Sequence, residues 1–275
     1  MKEESFKSSD GLKIVFHTLL PAGTPRAVVV VNHGVNSHGG QYRWPAEKLA
    51  AAGFAVHAID MRGRGRSEGR RFSIDDVAEY TGDLHQLIGI AKERNPGLPL
   101  FLLGHSAGGV VSCTYALDRQ NELAGLICES FAYRVPAPAP VLTIIKLLGR
   151  ILPSLPVLKL KNEDFSRDPE AVAALNADPL IKGEVQPART VAALLRATDR
   201  MTREFGRITL PVFIMHGTAD KATMPVGSQF FYDNAGSSDK TLRLYDGHFH
   251  DLLNDIGRDQ VMDDIIAWIA SRLPA

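Results

Sequence analysis

The apolar run Leu100-Phe101-Leu102-Leu103 stops at Gly104-His105-Ser106-Ala107-Gly108-Gly109, and a helical pattern begins directly behind it. No other stretch of the chain constrains the fold as strongly. A strand that must reverse into a helix within a few residues needs backbone positions where a Cβ would collide with neighbouring chain, and Gly-x-Ser-x-Gly supplies them on both sides of a serine. The serine is then left exposed at the carboxyl end of the strand. Its hydroxyl is a poor nucleophile near neutral pH unless a histidine takes its proton, so the pattern gains meaning only if an acid and a base follow downstream.

The rest of the chain repeats the same alternation. Asp10-Gly11 signals a hairpin between strands near Glu4 to Ser9 and Leu12 to Leu19. Ala27 to Val31 is β-branched and apolar throughout, as suits a strand buried on both faces of a parallel sheet. Tyr42 to Ala52 reads as a helix closed by Gly53, and Phe54 to Ile59 as the next strand. Val77, Tyr80, Leu84, Leu87, Ile88 and Ala91 recur at helical spacing. Leu123 to Cys128, Val212 to Met215 and Thr241 to Tyr245 complete the strands. Strand followed by helix implies an α/β fold with a mostly parallel, doubly wound sheet, whose ligands sit beyond the strands' carboxyl ends. His33, Asp60, Ser106, His216 and Asp246 all fall at such ends.

Between Cys128 and Val212 the alternation stops. Pro136, Pro138 and Pro140 introduce Val141 to Leu152, an apolar segment whose Thr143, Lys146 and Arg150 share one helical face; short helical stretches follow near Asp168 to Leu175 and Pro187 to Arg203. The expected organisation is a core of residues 1–130 and 208–275 with a helical cap inserted at 131–207.

At 275 residues and 45% apolar composition a sizeable core is expected. Lys+Arg and Asp+Glu both total 31, so the overall charge recommends neither nucleic acid nor an acidic membrane as partner. Cys113 and Cys128 both fall in buried patterns and read as free thiols of a reducing compartment. The start of the chain lacks the basic and apolar regions of a signal peptide, and no apolar run approaches the roughly 20 residues needed to span a bilayer. A cytoplasmic location, with contact to a membrane or micelle surface through the cap, is the expectation.

For a serine of this kind the chain order is serine, acid, histidine. Asp220 lies in the loop after the strand that ends in Met215, and position in that order makes it the acid rather than a helix cap. His248 and His250 follow the last strand, and spacing alone does not choose between them as base. A metal pair is the rival reading of His-x-His, but no matching cluster accompanies it, so no metal is expected. The N–H of Ala107 at the helix start and that of Val35 after His33-Gly34 are the expected oxyanion donors. His33 is expected to orient that loop. Arg62, Arg64, Arg66, Arg70 and Arg71 form a basic cluster that reads as a solvated face, with an anionic headgroup site as the alternative.

The chain resembles the monoacylglycerol lipase and lysophospholipase branch of the α/β-hydrolase superfamily over nearly its whole length. The resemblance rests on His33-Gly34 with His38 and Tyr42, Asp60-x-x-Gly63-x-Gly65-x-Ser67, Gly104 to Gly109, Asn176-Ala177-Asp178-Pro179-Leu180, Gly217-x-x-Asp220 and Tyr245 to His250. The family's histidine follows the glycine by three residues, which implies His250 and a triad of Ser106, Asp220 and His250. Members acting on monoacylglycerol often carry Gly-Glu-His and then Arg before the tyrosine, where this chain has Val35 to Gln41. The usual methionine after the nucleophile is Ala107, and the strand behind the nucleophile helix ends in Glu129-Ser130.

The resemblance implies a serine carboxylic-ester hydrolase acting through a Ser106 acyl-enzyme on a lipid-like acyl ester, monoacylglycerol or similar. Lysophospholipase or short- to medium-chain carboxylesterase activity is the nearest alternative. A binding module with vestigial hydrolysis is the alternative from another class, and the complete triad order argues against it. Acyl transfer to water needs no cofactor. Expected substrate contacts are His33, Asn36 and Glu129, with Ile144, Ile145 and Leu148 from the cap. Glu129 reads equally well as a surface residue at a loop start.

Overall fold

The structure is a computed structural model and describes residues 1–274. Ten strands and eight α-helices follow in the order β1 (Lys2–Lys7), β2 (Lys13–Leu19), β3 (Ala27–Asn32), α1 (Arg43–Ala51), β4 (Phe54–Ile59), α2 (Val77–Arg94), β5 (Leu100–His105), α3 (Ala107–Arg119), β6 (Gly125–Glu129), α4 (Ala139–Ile151), β7 (Pro156–Leu158), α5 (Pro169–Ala177), β8 (Gln186–Pro187), α6 (Ala188–Glu204), β9 (Val212–Gly217), α7 (Pro225–Asn234), β10 (Lys240–Tyr245) and α8 (Arg258–Ala270). The main sheet has the order β1-β2-β4-β3-β5-β6-β9-β10. The β1–β2 and β2–β4 pairs are antiparallel and all others are parallel.

Every residue of β3, β4, β5, β6 and β9 is buried, because helices cover both faces. Side chains alternate between the two layers. Val28 and Val30 join Leu84, Leu87 and Val111 on one side, while Val29 and Val31 join Leu49, Val261 and Ile265 on the other. Parallel strands place their carboxyl ends on one edge, which brings His33, Asp60, Ser106, His216 and Asp246 to the same end of the sheet.

Two details depart from what the sequence suggests. The first strand lies two residues earlier than Glu4 to Ser9, since its register with β2 runs from Lys2↔Thr18 to Lys7↔Lys13. The segment 131–207 carries a two-stranded ribbon, β7–β8, that no periodicity announced. Cys113 and Cys128 are free and buried, with Sγ atoms 3.8 Å apart.

The basic cluster divides: Arg66, Arg70 and Arg71 are exposed, as a solvated face requires, whereas Arg62 and Arg64 are not. Arg62 is buried and donates to Asp83 (Nε to Oδ2, 2.7 Å) and Asp10 (Nη1 to Oδ2, 2.8 Å). Arg64 is 1% exposed and donates to Glu184, Gln186 and Tyr80. A guanidinium carried out of water must be neutralised and hydrogen-bonded, and here acids distant in sequence do this. The pairing also ties the 131–207 segment to the core, as do His38 Nε2 and Gln41 Nε2, each 2.9 Å from Asp178 Oδ2.

Candidate active site

Ser106 sits between β5 and α3 with φ 55° and ψ −120°, a left-handed conformation that costs an L-residue on the order of 1–3 kcal/mol. Packing imposes it. A Cβ on Gly104 would lie 2.6 Å from Ser112 Oγ, and one on Gly108 would run into the carbonyl oxygens of Asn32 and His33. The turn is further pinned by Ser106 N donating to Glu129 O at 2.9 Å and by Ala132 N donating to Ser106 O at 3.0 Å.

His250 Nε2 lies 2.8 Å from Ser106 Oγ, and His250 Nδ1 lies 2.7 Å from Asp220 Oδ2. The carboxylate is acceptor only, so Nδ1 carries the proton and Nε2 is free to accept from the serine hydroxyl. The side chains of His250 and Asp220 are fully covered. Asp220 also accepts from Thr223 Oγ1 at 2.7 Å and from the N–H groups of Ala222 and Thr223 at 2.7 and 2.9 Å. Burial alone would raise its pKa, but the charge on His250 and hydrogen bonds from His216 and His250 outweigh that and hold the carboxyl far below the usual range. The other histidine that spacing allowed, His248, lies instead beside Asp255, 3.9 Å from it.

The Gly34-Val35 turn rests on the serine, since a Cβ on Gly34 would come within 2.7 Å of Ser106 Cβ. His33 shapes that turn. Its Nδ1 donates to Gly34 O at 2.6 Å, and its Nε2 accepts from Met61 N at 3.0 Å. Burial, reinforced by the Arg64 charge, lowers its pKa to about 3, so the ring stays neutral and keeps both bonds. Among the described residues neither the Val35 nor the Ala107 N–H has a protein acceptor, and Ala107 N opens helix α3. Two free donors beside a serine are what a developing oxyanion requires.

A cavity of about 370 Å³ opens from Ser106, Val35 and Ala107 and is walled mainly by apolar side chains of 131–207, among them Leu142, Ile145, Val157, Leu158, Leu194 and Leu195. Of the expected contacts, Ile145 lines it. Ile144 does not, being 55% exposed on the outer side of α4, and Leu148 is outside the lining. His33 is completely buried behind the turn and does not reach the cavity. Asn36, with φ 51°, donates through Nδ2 to Asn162 Oδ1 at 3.0 Å and borders a different cavity. Glu129 is neither a pocket residue nor a surface residue: it is 0% exposed, on the far side of the serine turn. Residue order could not reveal this, because it depends on which sheet face the last residue of β6 takes.

Sequence reasoning missed His216 and Thr223. His216 Nε2 lies 3.0 Å from Asp220 Oδ2 and its Nδ1 2.7 Å from Ser228 Oγ. The available signal was its place at the end of β9, four residues before Asp220.

A strained serine between parallel strand and helix, backed by histidine and carboxylate under an apolar roof, defines a serine hydrolase of the α/β-hydrolase fold. Residues 23–257 match the family described as serine aminopeptidase, S33. The chain belongs to that family. It is 36% identical to the monoacylglycerol lipase of Mycolicibacterium smegmatis over 98% of both chains, and 32% identical to the monoglyceride lipase of Rattus norvegicus over 97% of this chain and 89% of that one. The crystal structure of Paleococcus ferrophilus monoacylglycerol lipase superposes with a TM-score of 0.85 at 31% identity, covering 94% of this chain and 99% of the other.

Proposed function

We propose that this enzyme hydrolyses the ester bond of monoacylglycerol-like lipids, with Ser106 as nucleophile, His250 as base and Asp220 as its orienting acid. The observation that carries the reading is the hydrogen-bonded series Ser106–His250–Asp220 at the floor of an apolar cavity of about 370 Å³, a size within the range of small-molecule sites. Ser106 Oγ attacks the ester carbonyl while His250 Nε2 takes its proton. The oxyanion forms against the N–H groups of Val35 and Ala107. His250 returns the proton to the departing alcohol, leaving an acyl-enzyme. A water then attacks, giving its proton to His250, and the fatty acid leaves as Ser106 is reprotonated.

Residues 131–207 act as a cap in this reading, with the acyl chain beneath them. Helix α4 buries no residue completely, and Ile144, Leu147 and Ile151 leave an apolar stripe on its outer face, continued by Leu152 and Leu155. Such a stripe suits transient contact with a membrane or micelle surface that holds the substrate. Among the described residues no helix is long and apolar enough to cross a membrane. The free thiols of Cys113 and Cys128 support a cytoplasmic site of action.

The test is hydrolysis of monoacylglycerols and p-nitrophenyl esters of increasing chain length by wild type and Ser106→Ala. Loss of turnover in the variant and a rise in kcat/KM with chain length are expected. Turnover retained by the variant overturns the mechanism, and a flat chain-length profile overturns the lipid preference.

A further inference from the structure

On one face of the sheet the strands present a continuous apolar layer: Phe101 and Leu103 from β5, Ile127 from β6, Phe213 and Met215 from β9, covered by Leu252 and Leu253. The next positions of β5 and β6 on that face are His105 and Glu129, which are register partners in the parallel ladder and so direct their side chains to the same side. Asp251 joins them from the loop behind His250. Three ionisable groups thus stand in an apolar layer, each at most 8% exposed.

Their hydrogen bonds leave a remainder. His105 Nδ1 meets Tyr42 Oη at 3.1 Å, Glu129 Oε1 accepts from Leu253 N at 3.2 Å, and Asp251 Oδ2 accepts from Asn254 Nδ2 at 2.9 Å. His105 Nε2, Glu129 Oε2 and Asp251 Oδ1 are buried with no partner. One ligand-capable atom of each residue lies within 4.8 Å of the other two, yet no hydrogen bond joins any pair. Three atoms that close together can meet one common centre. No lysine or arginine is paired with either carboxyl and burial disfavours both charged forms, so a bound cation or a proton must neutralise them. A second compact group, His17, His38 and Asp60, lacks this remainder, because Asp60 already accepts from Gly39 N, Arg66 N and His17 Nε2.

We propose that His105, Glu129 and Asp251 form a buried site for one divalent cation beneath the serine turn, of the kind that takes mixed imidazole and carboxylate ligands, such as Zn²⁺. The ion neutralises the carboxylates and ties together β5, β6 and the 250–251 segment. Those segments carry Ser106, the Glu129 carbonyl that holds Ser106 N, and His250. The ion braces the hydrolytic residues and takes no part in acyl transfer. The proposal does not depend on the identity of the substrate.

The test uses the whole chain without a histidine tag, stripped by a chelator and titrated with Zn²⁺ alone against a chromophoric competitor. One ion per chain is expected, with a raised Tm, and Glu129→Gln and Asp251→Asn should each weaken binding roughly tenfold or more. Anomalous scattering at the zinc edge from wild-type crystals locates the ion even where a variant fails to fold. A peak among the three side chains supports the site. Absence of binding, binding unaltered in a folded Glu129→Gln protein, or a peak elsewhere overturns it and leaves a buried water or proton as the occupant.

Discussion

His216 Nε2 approaches Asp220 Oδ2 to 3.0 Å, on the same oxygen that faces His250 Nδ1 at 2.7 Å. The carboxylate is acceptor only, so His216 Nε2 carries the proton toward it, and Nδ1, 2.7 Å from Ser228 Oγ, is left to accept from that hydroxyl. Asp220 is therefore held from two sides by imidazoles. His216→Ala removes one charge-assisted hydrogen bond of about 1.5–3 kcal/mol. The expected result is a fall in kcat of about tenfold with KM little changed, read from steady-state kinetics on a soluble ester. Unaltered kcat would show that His250 and Thr223 suffice to hold the carboxylate.

Asp220 also links stability to pH. Its folded pKa is depressed, so its contribution is fully present above the unfolded value of about 3.9 and is lost as pH falls through the folded value. Wild type should lose stability steeply below about pH 4. Asp220→Asn should be less stable than wild type at pH 7 and should show a shallower decline on acidification. Urea titrations at several pH values measure both slopes, and parallel slopes would contradict the linkage.

Gly108 is sterically required, because a Cβ there would meet the carbonyls of Asn32 and His33. Gly108→Ala is expected to cost about 3 kcal/mol, which lowers Tm by on the order of 6–12 °C. Labelling of Ser106 by a fluorophosphonate should slow as well, since both carbonyls lead into the Gly34-Val35 turn. A thermal melt within a degree of wild type would refute the steric account.

The outer and inner faces of α4 should separate experimentally. Ile144→Glu combined with Leu147→Glu charges the exposed stripe and should reduce co-flotation with liposomes at least severalfold, while hydrolysis of a short soluble ester is unchanged. Ile145→Trp, on the cavity side, should instead shorten the longest acyl chain accepted. Equal flotation of the doubly charged variant would remove the membrane role from this helix.

The ligand candidates that stand close together in sequence, His248 and His250, have no matching cluster beside them. His105, Glu129 and Asp251 are far apart in sequence and meet only because β5 and β6 pair in register and the loop after His250 folds over them.

By itself, the sequence determined the strand and helix alternation, the serine turn and the order serine, acid, histidine, because these depend on local sterics and on periodicities of two and 3.6 residues. Tertiary structure decided the remainder. It put His250 within 2.8 Å of Ser106 and left His248 beside Asp255, a difference that spacing alone left open. It turned Arg62 and Arg64 from an apparent solvated patch into buried ion pairs with acids far along the chain. It turned Ile145 toward the cavity and Ile144 away from it, and placed Glu129 behind the serine. Periodicity states which residues share a face but not what that face meets, and partner identity is a property of packing across distant segments.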